Sequence, residues 1–249
     1  MKHQMKTIFV KDYNEMSKKG YELMKKVIET KEQPVISMTT GGSPRGLFKL
    51  LVEDINNGLD ISNTTIMNLD EYMGPKDAVY TVRTFMYENL YNLVNTEPKN
   101  IFLIDGETQD TDKEIARYKE ILNQYPRDVQ VLGLGTNGHI GANEPGTPFD
   151  STMFLAQHDE STIQSTMSGY GISREEAPTE MLTLGFTEIL EAEKVILLVS
   201  GKSKAEAVKA LLEGEITTDC PATALRNSDN AIVIIDEEAA SLLEQDHTS

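Results

Sequence analysis

The chain has 249 residues, a formal net charge of −17 at pH 7, and 39% hydrophobic and 25% charged residues, a composition typical of a globular protein. The acidic excess argues against nucleic acid or an anionic membrane surface as a partner, because both need a basic binding surface. It does not exclude a small phosphorylated ligand, since backbone N–H groups and a few local cations hold a single phosphate even in an acidic protein.

No segment of the sequence indicates export or membrane insertion. The first ten residues contain only a four-residue apolar run, too short for a secretory signal. No apolar run approaches the roughly 20 residues of a membrane span. Cys220 is the only cysteine, so no intrachain disulfide can form, and we expect it to be a small buried side chain. The sequence favours a cytoplasmic protein.

Short apolar, β-rich runs alternate with amphipathic segments along the chain. Strands are predicted, in order, at residues 7–10, 35–38, 64–69, 101–104, 129–134, 181–184, 194–199 and 231–235. Helices are predicted at residues 12–30, 43–57, 82–93, 112–124, 202–213 and 236–245. Asp12 and Glu15 form a capping-box pattern at the first helix. Ser43 is typical of an N-cap, and Pro44 directly after it is typical of the first residue of a helix.

This alternation predicts a single α/β domain over residues 1–249. We expect a doubly wound, Rossmann-like, mostly parallel sheet with right-handed crossovers and helices on both faces. No linker, repeat or low-complexity segment divides the chain. Residues 161–178 are polar and lack a clear period, and we interpret them as a long loop that forms a lid over a site.

The first candidate site follows the predicted strand at 35–38. Thr40, Gly41, Gly42 and Ser43 precede a helix start. Hydroxyls, glycine N–H groups and the helix dipole favour an anion at such a position. No Gly-Lys-Ser/Thr follows, so this is not a P-loop. A plain strand-to-helix turn with a serine cap explains the same residues, and the pattern leaves both interpretations open.

Paired acids follow the predicted strand at 64–69, within the run NLDEY. A carboxylate at this place, such as Asp70, can take a proton from a substrate carbon and return it to a neighbouring carbon. The alternative is a solvated strand end or a helix cap.

The segment VLGLGTNGHIGANEPGTP at 131–148 begins as a buried strand and continues as a glycine-rich loop. It places Asn137, His139, Asn143 and Glu144 within eight residues. His139 can exchange a proton near neutral pH, with Asn137 and Glu144 fixing its orientation. A surface histidine, or one satisfied within the core, is the alternative. Glycines let a ligand approach closely, so this strand end favours a site.

A fourth polar segment, SGKSK, follows the predicted strand at 194–199. Lys204 falls in the first turn of the next helix and suits a phosphate, although a solvated pair of lysines fits equally well. All four segments follow apolar strands, and the carboxyl ends of parallel strands share one edge of a sheet. We therefore expect the four segments to meet at one site.

Together these segments resemble the glucosamine-6-phosphate deaminase (isomerase) family over nearly the whole chain. The resemblance rests on TTGGSP at 39–44, MNLDEY at 67–72 and GLGTNGHIGANEP at 133–145, with weaker matches in PTEMLTLG at 178–185 and SGKSKAEA at 200–207. The related 6-phosphogluconolactonases share the fold and a Gly-His pair but lack the Asn-Glu-Pro run.

The resemblance implies a reaction without cofactor or metal on a 2-amino-2-deoxyhexose 6-phosphate, yielding a ketose 6-phosphate and ammonia. Asp70 would move the proton between C2 and C1, and His139 would open the sugar ring. Asn137 and Glu144 would orient His139, and members of the family carry either Asp or Asn at the position of Asn137. The loop at 40–43 and Lys204 would hold the phosphate.

Two departures from the family pattern bear on the substrate. Thr166 stands where the family has a phosphate-binding arginine, and Arg45 and Arg174 are candidate replacements. Ala142 replaces a bulky aromatic residue under the loop. Loss of a bidentate arginine weakens phosphate binding, so galactosamine 6-phosphate is an alternative to glucosamine 6-phosphate as the substrate.

Two other classes of function stay open from the sequence. A 6-phosphogluconolactonase would use His139 to activate water, and a non-catalytic sugar-phosphate sensor would bind without turnover. The basic residues of the family's allosteric activator site have no clear match, so we expect no activation by an N-acetylated sugar phosphate. The sequence does not decide between a monomer and a homo-oligomer.

Overall fold

The structure is a computed structural model and describes residues 4–247. Its strands are β1 (Lys6–Val10), β2 (Val35–Met38), β3 (Thr65–Asn68), β4 (Asp70–Tyr72), β5 (Asn100–Phe102), β6 (Val129–Gly133), β7 (Phe154–Gln157), β8 (Glu180–Thr183), β9 (Lys194–Val199) and β10 (Ala231–Asp236). Its α-helices are α1 (Tyr13–Thr30), α2 (Arg45–Asn56), α3 (Val82–Met86), α4 (Thr111–Gln124), α5 (Glu160–Tyr170), α6 (Phe186–Leu190) and α7 (Ala205–Glu213). A π-helical segment, Tyr87–Tyr91, follows α3, and 3₁₀ segments occur at Lys202–Lys204 and Pro221–Asn227.

Seven parallel strands form the central sheet in the order β1-β10-β9-β6-β2-β3-β5. Successive residues of a strand point to opposite faces of the sheet, and here they enter two separate apolar cores. Leu197 of β9 packs with Tyr118 of α4 and Val208 of α7. Leu198 packs in the other core, with Met24 of α1. Helices therefore cover both faces, and the predicted doubly wound α/β fold is confirmed.

The sheet changes direction between β2 and β6. β2 leads outward to β3 and β5, whereas β6 leads outward to β9 and β10. Loops that leave two such neighbouring strands in opposite directions open a crevice at the carboxyl ends of the strands. Because β9, β6, β2 and β3 are adjacent, the four polar segments lie along one edge of the sheet, as expected.

A second, three-stranded antiparallel sheet has the order β4-β8-β7. The strand predicted at 181–184 is present as β8, but it pairs in this sheet and not in the parallel one. Neither β4 nor β7 is predicted from the sequence. β4 has only three residues, two of them acidic, and its partner β8 is distant along the chain, so periodicity gives no signal for it. The small sheet places Asp70 directly opposite Thr183.

The start of α2 differs from the prediction. Ser43 is not the N-cap, because Pro44 occupies that position without a side-chain hydrogen bond and the helix begins at Arg45. The backbone itself closes the turn, since Arg45 N donates to the carbonyl of Gly42. This frees the Ser43 hydroxyl from a capping role.

The helix predicted at 236–245 is wrong, since residues 237–242 form only turns. Asp236 still belongs to β10, and its carboxylate accepts hydrogen bonds from Ser200, Gly201 and Ala239. Asp236, the first residue of the predicted helix, thus joins the loop after β9 to the turn that follows β10.

The prediction that residues 161–178 form a loop is wrong, because most of them belong to the helix α5. Asp159 caps the helix by accepting a hydrogen bond from Thr162 N at 2.8 Å. Gly171 ends it in the left-handed conformation with φ of 64°. Only Ile163 and Thr166 of the helix are buried, so its two caps indicate it more clearly than any apolar period does.

Of two local predictions, the capping box at α1 forms only in part, and the burial of Cys220 is confirmed. Asp12 caps α1 by accepting from Glu15 N at 3.0 Å, although the Glu15 carboxylate binds the backbone of Lys11 and not that of Asp12. Cys220 is buried. Within residues 4–247, none of the helices is both long and apolar enough to cross a membrane.

Candidate active site

A cavity of about 520 Å³ opens at the carboxyl edge of the central sheet. The segments after β2, β3, β6 and β9 all contribute to its wall, together with α5. The nine residues predicted for the site all line it: Thr40, Gly41, Gly42, Ser43, Asp70, Asn137, His139, Glu144 and Lys204. The fold therefore brings the four separate segments to one place.

The loop after β2 forms one part of the wall and is held rigidly. Gly41 has φ of 101°, a backbone conformation that favours glycine. The Tyr13 hydroxyl donates to the carbonyl of Gly42 at 2.7 Å and accepts the N–H of Gly46 at 2.9 Å. A loop braced in this way can keep its N–H groups in place for an anion.

Lys204 lines the same cavity as this loop. The 3₁₀ turn Lys202–Lys204 brings its Nζ to 2.7 Å from the carbonyl oxygen of Leu134. Burial lowers the pKa of the Lys204 amine. A phosphate next to the amine would favour its charged form again, so Lys204 and the loop after β2 together suit a phosphate monoester.

Asp70 is the first residue of β4 and only 7% exposed. Burial raises the pKa of its carboxyl to about 7, and the nearby charge of Glu71 adds to the rise. A carboxylate with such a pKa is a stronger base than an exposed aspartate and is still ionised at slightly alkaline pH. Asp70 is therefore equipped to take a proton from carbon.

Glu71 has a different, anchoring environment. Its carboxylate accepts the backbone N–H groups of Tyr72 at 2.7 Å, Val82 at 2.9 Å and Arg83 at 2.9 Å. Burial raises the pKa of Glu71 to about 7, while these three donors oppose the rise. The contacts tie β4 to the start of α3 and so fix the backbone that carries Asp70.

His139 lies on the loop after β6, with its ring against Gly135. A Cβ atom at Gly135 would lie 2.3 Å from His139 Nδ1, so only glycine fits beneath the ring. Asn137 Oδ1 is 2.7 Å from His139 Nδ1 and also accepts the His139 backbone N–H at 3.1 Å. Glu144 Oε2 accepts from Asn137 Nδ2 at 2.9 Å and lies 3.5 Å from His139 Nδ1.

Glu144 is the anion of this group. Burial alone would raise its pKa, but the hydrogen bond and charge of His139, with hydrogen bonds from Thr162 and Asn137, hold the pKa of Glu144 below its usual value. The Thr162 hydroxyl donates to Glu144 Oε1 at 2.7 Å. An ionised Glu144 can stabilise a positive charge that develops on the imidazole.

The two arginines considered as replacements differ in position. Arg45 lines the cavity; its guanidinium lies 4.8 Å from the centroid of the Phe85 ring and donates to Asn89 at 3.2 Å. Arg174 instead pairs with Glu160 at 3.3 Å, and within the described residues it does not belong to the wall. Of the two, Arg45 is placed to approach a ligand.

α5 forms a helical wall of the cavity, where the sequence analysis expects a loop that acts as a lid. Thr162, Thr166 and Tyr170 line the cavity at one-turn spacing. His158, just before the helix, also lines it, and burial lowers the pKa of its imidazole. Its ring stands edge-on to Tyr72, with centroids 5.6 Å apart. The one signal in the sequence was the polar His-Asp pair directly after the apolar run of β7.

The chemical groups of the cavity suit proton transfer and anion binding. Across residues 4–247, no three His, Cys, Asp or Glu side chains are arranged to hold a metal ion. The carboxylates of Glu144 and Asp159 both accept hydrogen bonds from Asn137 Nδ2.

Known proteins have sequences similar to that of this chain. Residues 13–234 match the family model described as glucosamine-6-phosphate isomerases/6-phosphogluconolactonase. A glucosamine-6-phosphate deaminase of Bacillus cereus (strain B4264) is 41% identical over 239 residues, which cover 96% of this chain and 89% of that protein. Another, of Thermoanaerobacter sp. (strain X514), is 39% identical over 242 residues, covering 96% and 95%.

Solved structures agree with the sequence matches. A monomeric glucosamine-6-phosphate deaminase superposes with a TM-score of 0.91 at 37% identity, covering 96% of this chain and 100% of the other. A 6-phosphogluconolactonase from Trypanosoma brucei has a TM-score of 0.78 at 19% identity, covering 97% and 99%, and shares the fold alone. On its sequence and its structure, the chain belongs to the family of glucosamine-6-phosphate isomerases and 6-phosphogluconolactonases.

Proposed function

We propose that the protein converts glucosamine 6-phosphate and water into a ketose 6-phosphate and ammonia. The observation that carries the proposal is the presence of two different proton-transfer groups in one cavity. Asp70 is a buried carboxylate with a pKa near neutrality, and His139 is an imidazole held by Asn137 and Glu144. Relatives at 41% identity that are named glucosamine-6-phosphate deaminases favour this reaction over lactone hydrolysis.

The phosphate gives the substrate its orientation. The loop of Thr40, Gly41, Gly42 and Ser43 supplies hydroxyl and N–H donors, and Lys204 supplies a charge. With the phosphate fixed there, the sugar extends along the cavity toward the other groups. Binding energy from this remote group positions the reacting carbons.

Ring opening is the task of His139. Its Nε2 takes the proton of the anomeric hydroxyl, the bond between C1 and the ring oxygen breaks, and the proton passes to the ring oxygen. The product is the open-chain amino aldose. Glu144 stabilises the imidazolium that forms in between.

Isomerisation is the task of Asp70. Its carboxylate removes the proton from C2 while the protonated 2-amino group gives a proton to O1, which yields a neutral enolamine with a double bond between C1 and C2. The same carboxyl group returns the proton to C1, so that C2 becomes an iminium carbon. Water then adds to C2 and ammonia leaves, giving the ketose 6-phosphate. Each proton removed is returned, and no oxidant or cofactor is consumed.

Ammonia release tests the proposal directly. Purified protein is incubated with glucosamine 6-phosphate, galactosamine 6-phosphate and 6-phosphogluconolactone, with ammonia and lactone hydrolysis measured separately. We expect turnover of glucosamine 6-phosphate. Preference for the galacto epimer would move the assignment to galactosamine 6-phosphate, which the threonine at position 166 keeps as the alternative. Lactone hydrolysis alone, or binding without turnover, would contradict the proposal.

The proposal extends to the oligomeric state of the protein and to a lid over its site. A monomeric deaminase at 37% identity favours a monomer, which size-exclusion chromatography with light scattering tests. We infer that α5 and the residues after it, at 161–178, act as a lid over the bound sugar. The single-domain division and the cytoplasmic location expected from the sequence stay predictions.

A further inference from the structure

The amide of Asn137 lies between an imidazole and two carboxylates. On one side its Oδ1 is 2.7 Å from His139 Nδ1. On the other side its Nδ2 donates to Glu144 Oε2 at 2.9 Å and to Asp159 Oδ2 at 3.2 Å. The first of these carboxylates belongs to the proposed catalytic group. The second belongs to Asp159, the N-cap of α5, which has no role in the proposed reaction.

An amide in this place has two orientations with opposite consequences for the imidazole. With Oδ1 toward His139, the Nδ1 atom must carry the proton, and Nε2 keeps the lone pair that acts as a base. With Nδ2 toward His139, Nδ1 must accept a hydrogen bond, and the proton moves to Nε2. An aspartate at position 137 would present acceptor oxygens on both sides. Only an asparagine therefore needs neighbouring groups to fix which of its side-chain atoms faces His139.

The backbone N–H of His139 favours the first orientation, since it donates to Asn137 Oδ1 at 3.1 Å. The two carboxylates reinforce that choice because ionised carboxylates only accept hydrogen bonds. Each of them would face the amide oxygen at close range if the Asn137 side chain were flipped. Glu144 is a shared partner, however. It also lies 3.5 Å from His139 Nδ1 and accepts from Thr162. Asp159 Oδ2, which accepts from Asn137 Nδ2 at 3.2 Å, therefore holds the amide independently of the contact between Glu144 and the imidazole.

We propose that Asp159 is a positioning residue that fixes the Asn137 amide and thereby the Nδ1–H tautomer of His139. The kinetic consequence rests on the proposed deaminase function, whereas the tautomer does not. The two oxygens of Asp159 have separate tasks. Oδ1 caps α5, accepting from Thr162 N at 2.8 Å and Ser161 Oγ at 2.7 Å, and Oδ2 holds Asn137.

This division makes Asp159→Asn a selective variant. Asparagine is as good an N-cap as aspartate, so its oxygen keeps the helix start. Its NH₂ group replaces Oδ2 and faces the NH₂ group of Asn137, two donors in opposition. Asp159→Ser is a second variant that keeps a capping oxygen and removes Oδ2 without adding a donor. Glu160→Gln is the matched control, the same chemical change one residue later on a carboxylate that pairs with Arg174.

The first readout is the tautomer. With ¹⁵N-labelled histidine, NMR at a pH where His139 is neutral distinguishes a protonated Nδ1 from a protonated Nε2, and His139→Gln assigns the signal among the four histidines. We expect protonated Nδ1 in the wild type and in Glu160→Gln. We expect a substantial protonated-Nε2 population in Asp159→Asn and a smaller one in Asp159→Ser. A wild-type Nε2 tautomer, or no change in either Asp159 variant, overturns the proposal.

The second readout is kinetic. Asp159→Asn should lower kcat about 10-fold with KM within about threefold, because a wrong tautomer impairs the base and not the phosphate contacts. The double variant Asn137→Asp with Asp159→Asn exchanges donor and acceptor, and should recover kcat relative to Asp159→Asn alone. A merely structural effect would lower kcat equally in Asp159→Asn and Asp159→Ser, and the double variant would not recover kcat. That outcome would contradict the proposal. An inactive wild type with the expected tautomers would instead refute the deaminase assignment alone.

Discussion

Replacement of Asp70 by asparagine separates catalysis from stability. In the wild type, Asp70 is only 7% exposed and burial raises the pKa of its carboxyl from 3.8 to about 7. The folded state thus holds this proton to a higher pH than the unfolded chain does. The associated stability is complete below the unfolded pKa and is lost as the pH rises through the folded pKa. Asparagine has the same shape without an ionisable group, so it should remove the loss.

The size of the effect follows from the two pKa values. One pKa unit corresponds to about 1.4 kcal/mol. A group with pKa 3.8 in the unfolded chain and about 7 in the folded protein should cost about 2 to 3 kcal/mol more at pH 8 than at pH 5 by linkage. The free energy of unfolding of Asp70→Asn, relative to the wild type, should therefore increase by this amount between the two pH values.

Urea unfolding at pH 5 and pH 8 measures the effect, with the exposed Asp150 as the site of a matched control, Asp150→Asn. The control should follow the wild type at both pH values. The ammonia assay should show that Asp70→Asn loses about 10²-fold or more in turnover, as expected for removal of a general base. In the wild type, kcat/KM should fall as the pH drops below about 7, as Asp70 becomes protonated. A stability difference that is independent of pH would refute the ionised buried carboxylate, and near wild-type turnover would refute its role.

Three further predictions address the rest of the cavity. Lys204→Ala should raise KM for the amino-sugar phosphate by roughly 10- to 100-fold with little effect on kcat, which is the range for a lost charge-assisted hydrogen bond. Lys202→Ala, at an exposed lysine, should be neutral. Equal KM values for the two variants in steady-state kinetics would remove Lys204 from the phosphate site. Gly135→Ala puts a Cβ 2.3 Å from His139 Nδ1 and should lower kcat by about 10-fold or more. Gly169→Ala, with nothing within 4 Å of the added atom, should stay close to the wild type in turnover. Similar kcat values for the two variants would contradict the close packing of Gly135 against His139. Initial rates should be hyperbolic in substrate and unaffected by N-acetylglucosamine 6-phosphate, so a sigmoidal curve relieved by that compound would disprove the absence of an activator site.

The sequence was informative where chemistry and local conformation coincide. Apolar strands that end in glycines, acids or an imidazole predict both the buried element and the edge at which the polar groups emerge. This is why Asp70, His139, Glu144 and Lys204, which line one cavity, can be predicted as site residues without a structure. Parallel strands are buried on both faces and give strong apolar runs, so the central sheet is also visible in the sequence.

Errors in the prediction arise where one segment's conformation depends on a distant partner. α5 has too few buried residues for a period to reveal it, so its caps Asp159 and Gly171 are its clearer local signal. β4 and β7 exist because β8 lies between them. The two acids Asp70 and Glu71 are adjacent in sequence, yet Glu71 binds three backbone N–H groups at the start of α3 while Asp70 lines the cavity.

By itself, the sequence determined the α/β class, the order of the central elements and the residue types of the site, since these follow from local periodicity and from the polar groups at strand ends. Only the tertiary structure decided which individual residues lie against one another in the cavity. It placed Arg45 and not Arg174 at the cavity, and it set Asp159 against the amide of Asn137. The physical reason is that hydrogen-bond direction and burial are set by groups far apart along the chain, and the sequence contains no local trace of their approach.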